Sequence, residues 1–282
     1  PYTDRVLSST VDSDLTSTDR FTCAQDAARN AGQFIAADTT RSGFVKDEDA
    51  RELVTEADRK AERMIREAVM KAFPEDGFLG EELGPVPGAT GYTWVVDPID
   101  GTTNYTHHIP EFCVSIAVLH NGMPEIGVVY EPNRDMCYTA VSGEGAYCNG
   151  TPMKTRRRQL SPQTLFGFSS RFIGAPPDHV TRILEYCDEY RNMGSAALHL
   201  CYVARGWLDG AFADSTRLWD IAAAGLIVLE AGGSVMNFDT TPLFPVSPIM
   251  TDYAGAFLPV VATSGELDQT LLRTFFGSGR PA

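Results

Sequence analysis

The stretch that decides the fold runs from residue 94 to residue 105 and reads Trp94-Val95-Val96-Asp97-Pro98-Ile99-Asp100-Gly101-Thr102-Thr103-Asn104-Tyr105. It begins as an apolar run, which is typical of a buried strand, and Pro98 then fixes φ and ends the ladder. Two carboxylates, Asp97 and Asp100, lie at this strand end. Gly101 permits a tight turn, after which Thr102-Thr103 can begin a helix with unpaired N–H groups.

This combination indicates metal-dependent phosphate chemistry, because hard divalent cations take oxygen ligands and a helix N-terminus takes phosphate. Taken alone, the Asp-Pro-x-Asp-Gly pattern is equally compatible with a solvated turn, since Asp, Pro and Gly are ordinary turn formers. The remaining chain has to decide between the two interpretations.

Length and composition are those of a globular protein with one large domain or two modest ones. The 282 residues are 43% hydrophobic and 21% charged, and we predict a single domain over residues 1–282. Its N-terminal α+β half is expected over about 21–150 and its C-terminal α/β half over about 151–280. Residues 1–20, rich in Ser, Thr and Asp, are expected to form a loose arm.

The charge and the cysteines restrict the classes of function. A net charge of −14 argues against a nucleic-acid-binding surface, and a site for an anionic substrate would need local positive charge, which metal ions supply. No apolar run reaches the ~18 residues that span a bilayer, and no signal peptide is recognisable. The six scattered cysteines lack zinc-type spacing. We therefore expect buried free thiols in a reducing cytoplasm, with no membrane partner.

Hydrophobic periodicity predicts two helices followed by a largely antiparallel sheet, and then alternating strands and helices. The predicted helices span 21–37, 55–73, 178–190, 195–205, 219–231 and 267–276. The predicted strands span 78–80, 92–96, 112–119, 126–130, 136–140, 145–148, 165–169, 208–213, 234–238 and 258–263. A loop or short hairpin is expected over 38–52, and surface loops over 84–91 and 240–257.

Several further carboxylates have both an ordinary and a functional interpretation. Glu81 and Glu82 follow an apolar strand and could form a solvated turn. Asp220 follows Trp219 at a helix start and could simply face the helix dipole. Thr55 and Asp58 have the spacing of a capping box.

The chain resembles the inositol monophosphatase family of magnesium-dependent, lithium-sensitive phosphatases. The stretch from Trp94 to Tyr105 resembles the first signature of that family, and the other motifs follow in the expected order between about residues 21 and 275. They are Leu53-Val54-Thr55 with Asp58, Gly80-Glu81-Glu82, Arg191 with Gly194-Ser195-Ala196, Trp219-Asp220-Ile221-Ala222-Ala223, and Glu230-Ala231-Gly232-Gly233.

The resemblance implies a set of metal ligands and catalytic groups. One Mg²⁺ would be held by Glu81, Asp97 and the carbonyl of Ile99, and a second by Asp97, Asp100 and Asp220. A third, mostly water-bound ion would lie by Glu81, which is reasonable because Mg²⁺ keeps several waters. Thr102 and Asp58 would orient and deprotonate the attacking water together with the metal near Glu81. The amides of Gly101 and Thr102 would bind phosphate.

The substrate contacts are less well defined. The resemblance implies contacts from Asp100, Arg191, Ser195, Ala196, Asp214 and Asp220. Many inositol phosphatases have a glutamate seven residues before the last metal aspartate, and this chain has Ala213 there. Asp214 could substitute after a one-residue shift. Arg217 could contact a charged or second-phosphate substrate, or it could be an ordinary surface arginine.

Three other features are given weaker roles. The basic run 156–158 is expected to be a solvated loop, and the His107-His108 pair is expected at the rim of the site. Lys46 corresponds loosely to a family lysine near the site entrance.

The fold implied by the resemblance is α+β, a layered α-β-α-β-α sandwich of the inositol monophosphatase and fructose bisphosphatase type. The expected activity is Mg²⁺-dependent hydrolysis of a small phosphate monoester, first of all inositol monophosphate. Histidinol phosphate, fructose 1,6-bisphosphate and adenosine 3′,5′-bisphosphate are alternative substrates within the class. A homodimer is expected from the family, and a non-catalytic binding or regulatory relative is the alternative from another class.

Overall fold

The computed structural model describes residues 16–41, 43–47, 52–156, 159–169, 178–239, 241–253, 256–265 and 275. Its helices are α1 (Ser17–Ala37), α2 (Glu56–Ala72), α3 (Thr102–Thr106), α4 (Asp178–Tyr186), α5 (Ala196–Ala204) and α6 (Leu218–Glu230). Short 3₁₀ turns cover Pro132–Arg134 and Met250–Tyr253.

The strands of the first half are β1 (Gly43–Asp47), β2 (Glu52–Thr55), β3 (Gly77–Gly80), β4 (Gly84–Val86), β5 (Tyr92–Asp100), β6 (Cys113–His120), β7 (Met123–Glu131), β8 (Met136–Val141) and β9 (Gly145–Cys148). Those of the second half are β10 (Thr151–Met153), β11 (Leu165–Ser169), β12 (Glu189–Arg191), β13 (Gly210–Thr216), β14 (Gly233–Met236) and β15 (Leu258–Ser264).

Two large sheets organise the described residues. The eight-stranded sheet has the order β10-β9-β8-β7-β6-β5-β3-β4 and is antiparallel except where β3 pairs with β5. The five-stranded sheet has the order β12-β11-β13-β15-β14, with β11 parallel to both of its neighbours. Strands β1 and β2 form a separate antiparallel hairpin, as expected for the segment before α2.

Helices alternate with these sheets. On one face of the larger sheet, α1 and α2 bury a core that includes Ile35, Ile65 and Trp94. Between the two sheets lie α5 and α6, which are buried along almost their whole length. The outer face of the smaller sheet packs against α4 through Val180 and Ile183. The fold is therefore the expected α-β-α-β-α sandwich.

Close backbone contact fixes α6 against the larger sheet. A Cβ atom at Gly127 in β7 would lie 2.5 Å from the carbonyl oxygen of Ala223 in α6. The start of α6 is also tied to β6, because the Ser115 hydroxyl donates a hydrogen bond to the Trp219 carbonyl at 3.1 Å. These contacts set the position of Asp220, which lies in the first turn of α6.

Some predicted boundaries were wrong. The first helix begins at Ser17 instead of residue 21, because Thr16 and Asp19 form a capping box; residues 17–20 therefore belong to α1 and not to a loose arm. The fourth helix ends at Tyr186, and Glu189–Arg191 forms edge strand β12. Residues 1–15, and the predicted last helix apart from residue 275, lie outside the described residues.

The thiols agree with the expectation, since all six cysteines are free and five of them are buried. Among the described residues, no helix combines the length and the apolar character needed to cross a membrane.

Candidate active site

A bulge in β5 brings its two carboxylates together. Asp97 pairs with Ser115 of β6 and Asp100 pairs with Cys113, so three residue steps on β5 match two on β6. Residues three apart on a regular strand would point to opposite faces, and the extra residue of the bulge removes that separation. Both carboxylates are buried, and the Ile99 N–H donates a hydrogen bond to Asp97 Oδ1 at 2.9 Å.

The turn after β5 requires glycine. Gly101 has a φ of 100°, in the left-handed region, and a Cβ there would lie 2.9 Å from the Glu111 carbonyl oxygen. Helix α3 starts directly afterwards. The Thr102 hydroxyl lies 3.0 Å from the Ile99 carbonyl and 3.4 Å from Asp58 Oδ1, with either oxygen as its acceptor.

Asp58 serves both as a helix cap and as a member of the site. One oxygen accepts hydrogen bonds from the backbone and hydroxyl of Thr55, which completes the expected capping box at the start of α2. The other oxygen faces Thr102. Burial raises the pKa of Asp58 to about 6, and the nearby charge of Glu82 acts in the same direction.

The N-terminus of α5 holds Asp100. The Ser195 hydroxyl and the Ala197 N–H each donate to Asp100 Oδ2 at 2.6 Å, and the Ala196 N–H lies 3.3 Å from Oδ1. Ser195 also caps α5 by accepting from the Leu198 N–H. Ser195 and Ala196, which were predicted to contact substrate, thus contact a carboxylate from the other half of the chain.

Glu81 and Asp220 complete the cluster. Glu81 follows β3, and its N–H donates to the Val96 carbonyl at 3.3 Å. Burial raises the pKa of Asp97 well above its usual range, and the negative charges of Glu81, Asp100 and Asp220 raise it further. The pKa of Asp220 is also raised, by burial and then by Asp100, against the hydrogen bond from the Arg217 N–H at 2.8 Å.

The donor set fits divalent cations. The four carboxylates supply hard oxygen ligands and concentrated negative charge; burial and this charge raise the pKa of Asp97 and of Asp220. The carbonyl of Ile99 lies beside them and accepts from Thr102. Among the described residues, no group of three or more His, Cys, Asp and Glu side chains is arranged so that it could hold a metal ion as it stands. The carboxylates are oriented instead by their hydrogen bonds to one another and to backbone N–H groups.

Asp214 lies on β13 at a second bulge. Ala213 pairs with Val260 of β15 and Thr216 pairs with Leu258, so β13 contains one extra residue at this point. Asp214 Oδ1 is buried and has no hydrogen-bond partner among the described residues. Asp214 therefore lies within this bulge, and its role as a substrate contact stays a prediction.

Other predicted residues lie apart from the cluster. Arg191 is exposed on edge strand β12, and its guanidinium binds Glu189 at 2.7 Å; its role as a substrate contact stays a prediction. His107 and His108 are exposed at the end of α3, consistent with a rim position. The side chain of Lys46 and most of the basic run 156–158 are outside the described residues.

Glu62 was missed by the sequence interpretation. It is fully buried on α2 and accepts hydrogen bonds from the Glu82 N–H at 2.7 Å and the Leu83 N–H at 2.8 Å, which fixes the turn that carries Glu81. A Cβ at Gly80 would overlap the Glu62 carboxylate, so a larger residue there would displace it. The available signal was its spacing four residues after Asp58, next to the apolar face of α2.

His199 and Asn104 were also missed. The Met193 N–H donates to His199 Nε2 at 3.0 Å, so the ring proton resides on Nδ1 and is donated to the Ser169 hydroxyl. Asn104 Nδ2 donates to the Met193 carbonyl at 2.6 Å. Together they fix the segment that leads into Ser195 and α5. Burial lowers the pKa of His199 to about 4.

The chain belongs to the inositol monophosphatase family, whose family model matches residues 17–275. Among curated proteins, it is 40% identical over 221 residues to a protein named Nus factor SuhB from Pasteurella multocida, covering 76% of this chain and 83% of that protein.

Solved structures agree with this assignment. The extragenic suppressor protein suhB from Bartonella henselae is similar with a TM-score of 0.79 and 31% identity, covering 92% of this chain and 98% of that one. An inositol monophosphatase from Anabaena (Nostoc) is similar with a TM-score of 0.76 and 30% identity, covering 91% and 94% respectively.

Replacing Glu62 by glutamine tests its role in placing Glu81. The amide has one acceptor oxygen for two N–H donors, so one donor loses its partner and the turn shifts. We expect the Mg²⁺ concentration needed for half-maximal thermal stabilisation to rise about 10-fold, as for other residues that orient metal ligands. Glu67→Gln, at an exposed position of the same helix, is the control. An equal Mg²⁺ dependence in both variants would contradict this role.

His199 makes stability depend on pH. Its folded-state pKa of about 4 is below the ordinary 6.5, so the unfolded chain takes up the proton first. The contribution of His199 to the free energy of unfolding, about 3 kcal/mol in total, is fully present above pH 6.5 and is lost as the pH falls towards 4. Urea unfolding at a series of pH values should therefore show a smaller acid loss for His199→Gln than for the wild type. His107→Gln, at an exposed position, should keep the wild-type dependence of the free energy of unfolding on pH. An identical pH dependence in all three proteins would exclude the assignment to His199.

Proposed function

We propose that the protein hydrolyses a small phosphate monoester in a Mg²⁺-dependent reaction, with inositol monophosphate as the first substrate to test. The observation that supports this most is the cluster of Glu81, Asp97, Asp100 and Asp220 beside the start of α3, in which Asp97 and Asp100 are buried. Bound Mg²⁺ would lower the pKa of a water nucleophile and offset charge on the phosphate. Membership of the inositol monophosphatase family agrees with this chemistry.

The ligand assignment follows the cluster. Glu81, Asp97 and the Ile99 carbonyl would hold one ion, Asp97, Asp100 and Asp220 would hold a second, and a third would lie by Glu81 with water ligands. The hydrogen bonds from α5 keep the Asp100 carboxylate in place before any ion binds. The Glu62 carboxylate does the same for the turn that carries Glu81.

Thr102 and Asp58 would handle the attacking water. The hydroxyl of Thr102 accepts from the water while donating to Asp58 or to the Ile99 carbonyl. Asp58 is a suitable final acceptor for the proton, because burial raises its pKa to about 6, close to neutral pH. The amides of Gly101 and Thr102 would bind the phosphate oxygens. They lie at the start of α3, where backbone N–H groups have no carbonyl partner within the helix.

We further propose that the whole chain acts as a single domain, as a cytoplasmic homodimer. The contacts between Asp100 and α5 join the two halves at the site itself and support the single domain. The other monoesters named above are also tested, because Ala213 cannot make the substrate contact that a glutamate makes at this position in many inositol phosphatases.

Asp214 is the proposed contact to a substrate hydroxyl. Its buried Oδ1 atom lacks a partner among the described residues, and the residue lies within the β13 bulge.

For Asp214→Asn, which loses one acceptor oxygen, we expect the KM for inositol monophosphate to rise about 10-fold, the value of one hydrogen bond to a charged group. The KM for p-nitrophenyl phosphate, which carries no hydroxyl, should stay within about 2-fold, since that contact is absent. Ser215→Ala, at the neighbouring bulge residue, serves as the control in the same steady-state assay. Equal changes in KM for both substrates in Asp214→Asn would argue against a contact between Asp214 and a substrate hydroxyl.

The primary test is phosphate release from the monoester panel with and without Mg²⁺. Asp220→Asn removes one charged ligand and should lower Mg²⁺-dependent turnover by about 100-fold or more, because several kcal/mol of charge stabilisation are lost. Asp252→Asn, at an exposed carboxylate outside the cluster, should retain turnover. Thermal melts confirm that both variants are folded.

A second candidate function is favoured by the names of the relatives, which include Nus factor SuhB from Pasteurella multocida. In that case the chain would act as a binding or regulatory protein, and the expected absence of a nucleic-acid partner stays a prediction. Failure of folded, Mg²⁺-supplied wild-type protein to release phosphate from any panel member would favour this candidate over the phosphatase.

A further inference from the structure

The five-residue helix α3 is held in place by side-chain contacts with other parts of the chain. A helix this short is not stable by itself, so its position depends on tertiary contacts. One set of contacts comes from Asn104, whose Nδ2 donates to the carbonyls of Glu111 and Met193 at 2.6 Å each. A second contact comes from Tyr105, the next residue along the helix.

Tyr105 connects α3 to the end of α1. Its side chain is fully buried, and its hydroxyl donates to Asp38 Oδ2 at 2.6 Å. Asp38 is the residue that follows α1, and its other oxygen accepts from the N–H and the hydroxyl of Thr40 at 2.9 and 2.8 Å. The acceptor of the Tyr105 hydroxyl is therefore itself fixed.

The ring of Tyr105 is held as well as its hydroxyl. The guanidinium carbon of Arg41 lies 5.2 Å from the ring centre, and Arg41 Nε donates to the Asp38 carbonyl at 3.1 Å. The ring of Phe112 meets the Tyr105 ring edge-on, with the two centres 5.4 Å apart. Phe112 in turn lies against the left-handed turn, since a Cβ at Gly101 would be 3.2 Å from the Cβ of Phe112.

Tyr105 lies one turn after Thr102, and residues three apart on a helix are neighbours on its surface. The Tyr105 N–H donates to the Gly101 carbonyl at 2.9 Å. The Thr102 hydroxyl lies 3.0 Å from the Ile99 carbonyl and 3.4 Å from Asp58 Oδ1. A displacement of Tyr105 is therefore transmitted to the hydroxyl of Thr102.

A second tyrosine–aspartate pair provides a comparison. On β7, the Tyr130 hydroxyl donates to Asp135 Oδ1 at 3.0 Å, and the guanidinium carbon of Arg29 lies 5.1 Å from the Tyr130 ring centre. The Tyr130 ring packs against Gly32 of α1. A buried tyrosine hydroxyl needs an acceptor wherever it lies, so the Tyr130 pair measures the structural value of such a bond outside α3.

We propose that Tyr105, through the bond from its hydroxyl to Asp38, is a positioning residue for the Thr102 hydroxyl. The inference rests on the proposed function, in which Thr102 and Asp58 would handle the attacking water. The bond fixes α3 against the end of α1, and α3 in turn holds the Thr102 hydroxyl between Asp58 and the Ile99 carbonyl.

The test begins with Tyr105→Phe, which removes the hydroxyl and keeps the ring. With the monoester that the wild type hydrolyses fastest in Mg²⁺, kcat should fall by about 10-fold, because a displacement of about 1 Å at a reacting group can cost about 100-fold. Tyr130→Phe is the matched control and should keep the wild-type kcat. Asp38→Asn retains one acceptor oxygen for the Tyr105 hydroxyl and should give a smaller loss than Tyr105→Phe.

A double-mutant comparison separates positioning from a general structural effect. Thr102→Val has a similar shape but no hydroxyl. In that background, Tyr105→Phe should lower kcat by less than about 2-fold, because the group that it positions is already gone. A loss of about 10-fold in both backgrounds would overturn the proposal, and so would an unchanged kcat in Tyr105→Phe alone.

A measurement that does not need activity distinguishes the positioning role from the proposed function. In NMR spectra of protein with threonine labelled at its methyl carbon, the Thr102 signal is the one missing from Thr102→Val. Its order parameter should fall in Tyr105→Phe and keep the wild-type value in Tyr130→Phe. If no monoester is hydrolysed, this fall supports the positioning role while the proposed function fails. Turnover with an unchanged order parameter and an unchanged kcat in Tyr105→Phe retains the phosphatase and rejects the positioning role.

Discussion

Repulsion within a cluster of four carboxylates, two of which are buried, is the constraint on which the rest of the structure depends. Glu81, Asp97, Asp100 and Asp220 come from three separate segments, and burial together with mutual repulsion raises the pKa of both Asp97 and Asp220. Such a cluster costs free energy unless other groups hold it in place. Helix α5 supplies N–H and hydroxyl donors to Asp100, and close packing of α6 on β7 positions Asp220.

Hydrogen bonds that end helices also orient the site. Asp58 caps α2 with one oxygen and faces Thr102 with the other, while Asp220 accepts from the residue that precedes α6. A role in capping a helix and a role in the site, between which the sequence left the choice open, therefore do not exclude each other. A carboxylate in the first turn of a helix keeps a second oxygen available, and a helix dipole favours its charge.

The layered sandwich and the members of the cluster were expected from the family resemblance. Local pattern by itself was enough to predict most of the helices and strands, since hydrophobic periodicity depends on neighbouring residues alone. It could not reveal the two bulges, because a bulge is a relation between paired strands and exists only in the register of β5 with β6 or of β13 with β15. The supporting residues were hidden for a similar reason. Glu62 and His199 gain their roles from partners distant in sequence, such as the Leu83 N–H and the Ser169 hydroxyl.

The layer formed by α5 and α6 has a consequence for how such a chain can change in evolution. Both helices lie between the two sheets, and α6 is buried on nearly every side. A break near residue 150 would leave one half without Asp220 and the other without Asp97, and it would expose two apolar helices to water. New domains can therefore be added at the ends of the chain or in its surface loops. Exchange of one half between relatives would require the exchanged half to match the other half in its contacts with α5 and α6.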